Sequence, residues 1–122
     1  MQHLINWIEI PARDLARAKT FYSHILQVEL RDMQIGDVRY AIFAVDDRFN
    51  CGALVAGGSQ NPTEDGTVVY LDGGRDLAKV LSRVKKAGGK VVLEKTFIAT
   101  EAGYVGLFID TEGNKVGVHS MT

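Results

Sequence analysis

Arg13-Asp14-Leu15-Ala16-Arg17 recurs as Arg75-Asp76-Leu77-Ala78-Lys79, sixty-two residues further along a chain of 122. An offset of half the chain points to an internal duplication. Each copy follows a short apolar run, Trp7 to Ile10 or Val68 to Leu71, and opens a segment of helical periodicity. Aspartate is a favoured residue at a helix N-cap, so strand, capped helix and following strands recur as one unit. The expected fold is α+β: two βαβββ modules whose sheet curls around a cavity.

Outward from those two stretches the elements fall into place. Leu15, Ala18, Tyr22, Ile25 and Leu26 make the apolar stripe of a first helix over residues 14 to 26. Val28 to Met33, Val38 to Val45 and Cys51 to Ala56 read as strands, separated by Gly36-Asp37 and by the polar tract Asp46 to Asn50. Dense turn chemistry from Gly57 to Gly66 marks the junction of the modules. One domain over 1–122 is expected, with module one at 1–58, a linker at 59–66 and module two at 67–122. In module two, Leu77, Val80, Leu81, Val84 and Ala87 line a second helix that Gly88-Gly89 ends. Lys90 to Phe97, Gly103 to Ile109 and Val116 to His119 supply its remaining strands, and Asp110-Thr111-Glu112-Gly113-Asn114 turns between the last two.

Strand alternation then assigns faces. Val105, Leu107 and Ile109 are expected to pack on a helix, with Tyr104, Gly106 and Phe108 opposite them. Val116 and Val118 likewise oppose Gly117 and His119. The faces not spent on helices are expected to carry Trp7, Glu9, Tyr104 and His119, the residues a ligand would meet.

Composition narrows the function classes. With 46% hydrophobic residues the chain reads as a soluble globular protein. Fourteen basic against fifteen acidic residues leave a net charge of -1, which offers no field for nucleic acid or an anionic membrane. The single Cys51 excludes an internal disulfide, a zinc ribbon and a CxxC redox pair, and it suits a cytoplasmic location. Met1 to Pro11 lacks a basic region followed by a long apolar segment, so export is not expected.

The run Ile8-Glu9-Ile10-Pro11 with Asp14-Leu15 and Phe21-Tyr22, then Gly88-Gly89-Lys90-Val91, then Gly103-Tyr104 and the Asp110 to Asn114 turn resemble the vicinal-oxygen-chelate superfamily. That group comprises glyoxalase, bleomycin-resistance and extradiol-dioxygenase proteins. The resemblance covers essentially the whole chain, and it departs at Thr111, where the family usually has proline. It implies a glyoxalase-like fold, a homodimer and a small organic ligand.

The resemblance also implies four metal ligands, His, Glu or Gln, on the first and last strands of the modules. Those positions fall at Trp7, at Val69 (or at Val68 if the Gly73-Gly74 turn holds an insertion), at Gly117, and near Ala53 or Leu54. None is a donor for a hard or borderline cation. The expectation is therefore no metal and no other cofactor, with Glu9 and His119 too few for a shifted site.

Glu9, in an apolar strand, needs a cation, hydrogen-bond donors or an open polar cavity, so it reads as either a functional group or a structural ion-pair partner. Paired with His119 it would form an acid/base dyad. Trp7, Tyr70 and Tyr104 are the candidate ligand-binding aromatics, while Tyr40 and Phe108 read as core. Cys51 reads as an inert thiol, Lys79 with Lys85-Lys86 as a solvated face, and Gly73-Gly74 as a plain turn. Three functions follow: a glyoxalase-like small-molecule-binding protein, a lyase or isomerase if it is an enzyme; a non-enzymatic sequestration protein of the bleomycin-resistance type; or a metal-dependent lactoylglutathione lyase-like or dioxygenase-like enzyme.

Overall fold

Asp14 and Asp76 both cap helices, as the repeated stretch requires. In the computed structural model, which describes residues 4–45 and 51–122, the Asp14 carboxylate accepts the Arg17 N–H at 3.1 Å and the Asp76 carboxylate accepts the Ala78 N–H at 3.0 Å. The tract Asp46 to Asn50 and His3 lie outside the described residues. The elements run β1 (Ile8–Pro11), α1 (Leu15–Leu26), β2 (Glu29–Ile35), β3 (Val38–Ala44) and β4 (Gly52–Ala56). They continue as β5 (Tyr70–Asp72), α2 (Leu77–Lys86), β6 (Lys90–Ala99), β7 (Gly103–Ile109) and β8 (Lys115–Ser120). This is the βαβββ unit twice.

The strands form two mixed sheets of four, ordered β1-β4-β3-β2 and β5-β8-β7-β6. Within each, the outer pair β1/β4 or β5/β8 is parallel and the rest are antiparallel. The second module's first strand begins later than Val68. Its first ladder bond is donated by Gly117 N–H to the Val69 carbonyl at 2.8 Å.

Both helices pack into one core. Phe21 and Tyr22 from α1 meet at 5.0 Å edge-on, and Phe21 lies 5.9 Å from Phe108 of β7. Leu54 of β4 and Leu77, Leu81 and Val84 of α2 complete it, each essentially without solvent exposure. Burying a side chain of this size contributes about 1.5–3 kcal/mol. Phe21 lies outside the five-residue stripe read from the sequence, because α1 packs against the second module as well as its own sheet. Arg83 adds a charge-assisted bond, donating from Nη1 to the Ile25 carbonyl at 3.1 Å near the C-terminus of α1.

The β7–β8 turn joins the modules. The Asp110 carboxylate accepts backbone N–H groups of Glu112, Gly113 and Asn114, and the hydroxyl of Tyr22 at 2.6 Å. Glu112 accepts the backbone N–H groups of Arg13 and Asp14 and both Nε and Nη2 of Arg17. Asn114 donates to the Pro11 carbonyl. The start of helix one is thus fastened by residues of the last hairpin.

One expectation about faces is overturned. Phe108 is 0% exposed, and a Cβ at Gly106 would come 2.8 Å from Leu81 Cδ1 and 3.2 Å from Leu77 Cδ1. Tyr104, Gly106 and Phe108 therefore face α2, and Val105, Leu107 and Ile109 face away. Alternation defines two faces of a strand without saying which meets the helix. The missing side chain at Gly106 admits the two leucines and decides it. Val116 and Val118 do pack on the core, as expected.

Candidate functional site: the open sheet faces and the cleft between modules

On the first sheet, Glu9 lies opposite Ala53, and Tyr40 and Ile42 lie opposite Val55 and Ala53. These residues sit on the face turned away from α1, where Ile42, Ala53 and Val55 form a small apolar cluster with Val38 and Tyr40. Trp7 is at the end of this face, 39% exposed, and its indole N–H donates to Glu9 Oε2 at 3.2 Å. The indole and the carboxylate form one exposed aromatic and acidic patch.

On the second sheet, Tyr70 lies opposite Gly117 and Asp72 opposite His119. A side chain at Gly117 would collide with the Tyr70 ring, so glycine is what lets that 48% exposed ring rest on the strand. His119 shares the face, and its Nε2 lies 2.6 Å from the Ala102 carbonyl. A carbonyl only accepts, so Nε2 carries the proton.

The candidate residues thus group in two pairs, Trp7 with Glu9 and Tyr70 with His119, on different sheets. Among the described residues no hydrogen bond joins Glu9 to His119. Tyr104 is on the helix side of β7, contrary to the expected face, with its ring 5.4 Å from Phe97 and the Lys95 ammonium 4.6 Å above it. That ammonium also pairs with Asp76 at 2.8 Å, so Tyr104 braces the start of α2. Lys95 and the Ala78 N–H hold the Asp76 carboxyl below its usual range.

The repeat fixes which residues occupy the four chelating corners implied by the family resemblance. Ala12 N–H donates to the Val55 carbonyl as Gly73 N–H donates to that of His119, so Trp7 corresponds to Val68, and Ala53 to Gly117. The Gly73-Gly74 turn holds the one-residue insertion. An indole, an isopropyl group, a methyl group and bare backbone offer no metal donor, so this residue set does not fit a divalent ion. Among the described residues no group of three or more His, Cys, Asp or Glu side chains is placed to hold one elsewhere.

Sequence reasoning missed a cleft of about 740 Å³ between the modules. Its walls come from Leu26 at the end of α1 and Val28 beyond it, Phe43 of β3, Leu71 of β5 and Val80 of α2, with Cys51 also exposed to it. Arg75, Lys79 and Arg83 edge it, so Lys79 belongs to a cleft as well as to a solvated helix face. A polar groove beside α1, of about 690 Å³, holds the Lys19–Asp32 ion pair. None of Trp7, Glu9, Tyr70, Tyr104 or His119 lines either.

Electrostatically, two strongly perturbed groups are structural. Burial pushes the Glu112 carboxyl up, but Arg17, the Asp14 N–H and the Thr111 hydroxyl outweigh it and hold it at about 2. The Tyr22 hydroxyl is pushed well above its usual range, first by burial and then by Asp110.

Comparison with known proteins places this geometry. No curated protein matches the sequence significantly. Among solved structures, a glyoxylase/bleomycin resistance protein/dioxygenase domain from Frankia sp. EAN1pec superposes with a TM-score of 0.73 at 15% identity, over 98% of each chain. TnmS3, an antibiotic binding protein from Streptomyces sp. CB03234, gives 0.66 at 20% identity over 100% of this chain and 98% of that one. Glyoxalase I from Zea mays gives 0.67 at 18% identity over 95% of this chain, which spans only 45% of the maize enzyme. At such identities the likeness is one of fold. Residues 4–118 match a whole family as well, and with that match the chain belongs to the Glyoxalase/Bleomycin resistance protein/Dioxygenase superfamily.

Proposed function

We propose that the protein is a metal-independent binder of a small, flat organic molecule, held against the indole of Trp7 on the open sheet face. The observation that carries this reading is the occupancy of the corners: Trp7, Val68, Ala53 and Gly117 stand where a chelating member would need donors. An indole there offers a stacking surface in place of a Lewis acid. Glu9, tied to the indole N–H, supplies a polar anchor beside it, and Tyr70 and His119 supply an aromatic and a hydrogen-bonding group on the other sheet.

Two copies of the chain would close the site. Trp7, Met33 and Ile35 on the first sheet and Tyr70 and Leu93 on the second are exposed apolar side chains on the faces away from the helices. A second copy covering these faces would turn two open surfaces into one enclosed cavity, of the kind small ligands need. The antibiotic-binding TnmS3 is a relative in fold for which binding is the named role.

An enzyme using Glu9 and His119 as an acid/base pair is the second reading. It ranks lower because Glu9 bonds Trp7 and His119 bonds Ala102, not each other. The test of the first reading uses the one tryptophan of the chain: indole fluorescence is titrated with a panel of planar aromatic metabolites and antibiotics. A saturable quench lost in the Glu9→Gln variant, with calorimetry showing that the same ligand no longer binds the Trp7→Phe variant and without product formation, supports binding. Turnover of any panel member that Glu9→Gln and His119→Ala both abolish would favour the enzyme.

A further inference from the structure

We propose that the cleft between the modules is a separate ligand site, for a small amphipathic organic anion with an apolar body and a single carboxylate or sulfonate head. Its volume, about 740 Å³, falls within the range of small-molecule sites. The apolar body would lie against Ile8, Leu26, Phe43, Leu71 and Val80, which come from both modules.

The charge on its edge supplies the sign of the head group. Lys79 and Arg83 lie one turn apart on one side of α2, and Arg75 sits in the turn before its N-cap; all three line the cleft. Two acids share the lining: Asp72 keeps its charge and Asp76 is ion-paired with Lys95, so among the described residues three cations face one unpaired carboxylate. Asp72 accepts the Gly74 N–H at 2.8 Å, and Asp76 accepts the Ala78 N–H at 3.0 Å and the Lys95 ammonium at 2.8 Å. Among the described residues, neither the Arg75 nor the Lys79 side chain makes a hydrogen bond or salt bridge, while Arg83 is oriented by its bond to the Ile25 carbonyl. A guanidinium has five N–H donors, so Arg83 keeps donors free after that bond. Arg75, an ammonium at Lys79 that also attracts Asp76, and one oriented guanidinium beside an apolar wall complement an anion with a hydrocarbon or aromatic tail.

Cys51, the one thiol of the chain, faces the same cleft and gives a direct readout of occupancy. The probe is decanoate, with decanol and decyltrimethylammonium as neutral and cationic counterparts. Binding is followed by calorimetry, and the rate of Cys51 alkylation by iodoacetamide is measured with and without each probe. Decanoate is expected to bind saturably, at least tenfold tighter than either counterpart, and to slow alkylation severalfold. The Arg75→Gln/Lys79→Gln double variant, with its folding checked by thermal unfolding, is expected to lose both effects, and Trp7→Phe to retain them. Equal affinity for the three probes, protection that survives the double variant, or no saturable decanoate binding would overturn the proposal. The open-face reading fails by a different signal, the absence of a Trp7 response to planar ligands, so the two are judged separately.

Discussion

Glu112 accepts the Arg17 Nε–H at 2.7 Å with its own side chain fully buried, across a separation of ninety-five positions in the chain. The contact fastens the last hairpin of the second module to the first turn of α1. A carboxylate so placed is stabilising only while ionised and fully bonded.

Acid stability follows from that contact. The folded carboxyl is held at about 2, below its ordinary 4.5, so its contribution is fully present above the ordinary value and is lost as pH falls toward the folded one. The displacement corresponds to about 3 kcal/mol. Glu112→Gln leaves a half-exposed Arg17 rather than a buried charge, so it is expected to lower stability at neutral pH by roughly 1.5–3 kcal/mol, the range for hydrogen bonds to a charged group. Urea unfolding at a series of pH values should show the gap from wild type narrowing between about pH 5 and pH 2. A gap that stays constant through that window would contradict the assignment.

Tyr22→Phe removes the hydroxyl that donates to Asp110 at 2.6 Å inside the core. The expected loss is about 1.5–3 kcal/mol, the usual range for a hydrogen bond to a charged group. Denaturant midpoints of wild type and variant, compared at equal m-value, measure it.

The orientation of β7 yields a paired prediction. Phe108→Ala should cost about 3–5 kcal/mol, and Gly106→Val about 1–3 kcal/mol or more through collision with Leu77 and Leu81. Val105→Thr, on the far face, should cost much less than Phe108→Ala in the same thermal-unfolding series.

The duplication was legible because two short stretches keep the same cap and the same first helical turn. Asp14 and Asp76 act locally, within three residues of their own positions. The facing of β7 was not legible, since Tyr104-Val105-Gly106-Leu107-Phe108 has apolar residues on both faces, and only packing against α2 separates them. Nor was the role of Asp110 and Glu112, which read as turn residues but bond groups eighty-eight or more residues earlier. The Trp7–Glu9 pair could be read from period-two spacing. The cleft could not, because Leu26, Phe43, Leu71 and Val80 share no sequence pattern and meet only when the modules pack.

Trp7→Ala separates binding from folding. The indole is part-exposed and its one hydrogen bond is to exposed Glu9, so circular dichroism and the melting midpoint should change little. Affinity for a planar ligand should fall at least tenfold. Unchanged affinity would remove Trp7 from the site.

The most direct test of a metal-free binding face is calorimetric titration of a planar ligand identified by Trp7 quenching, before and after exhaustive chelation, with metal content measured on the same samples. The account predicts one dissociation constant for both preparations and no stoichiometric transition or alkaline-earth metal in either. Binding that disappears on chelation and returns with one divalent ion per chain would contradict it.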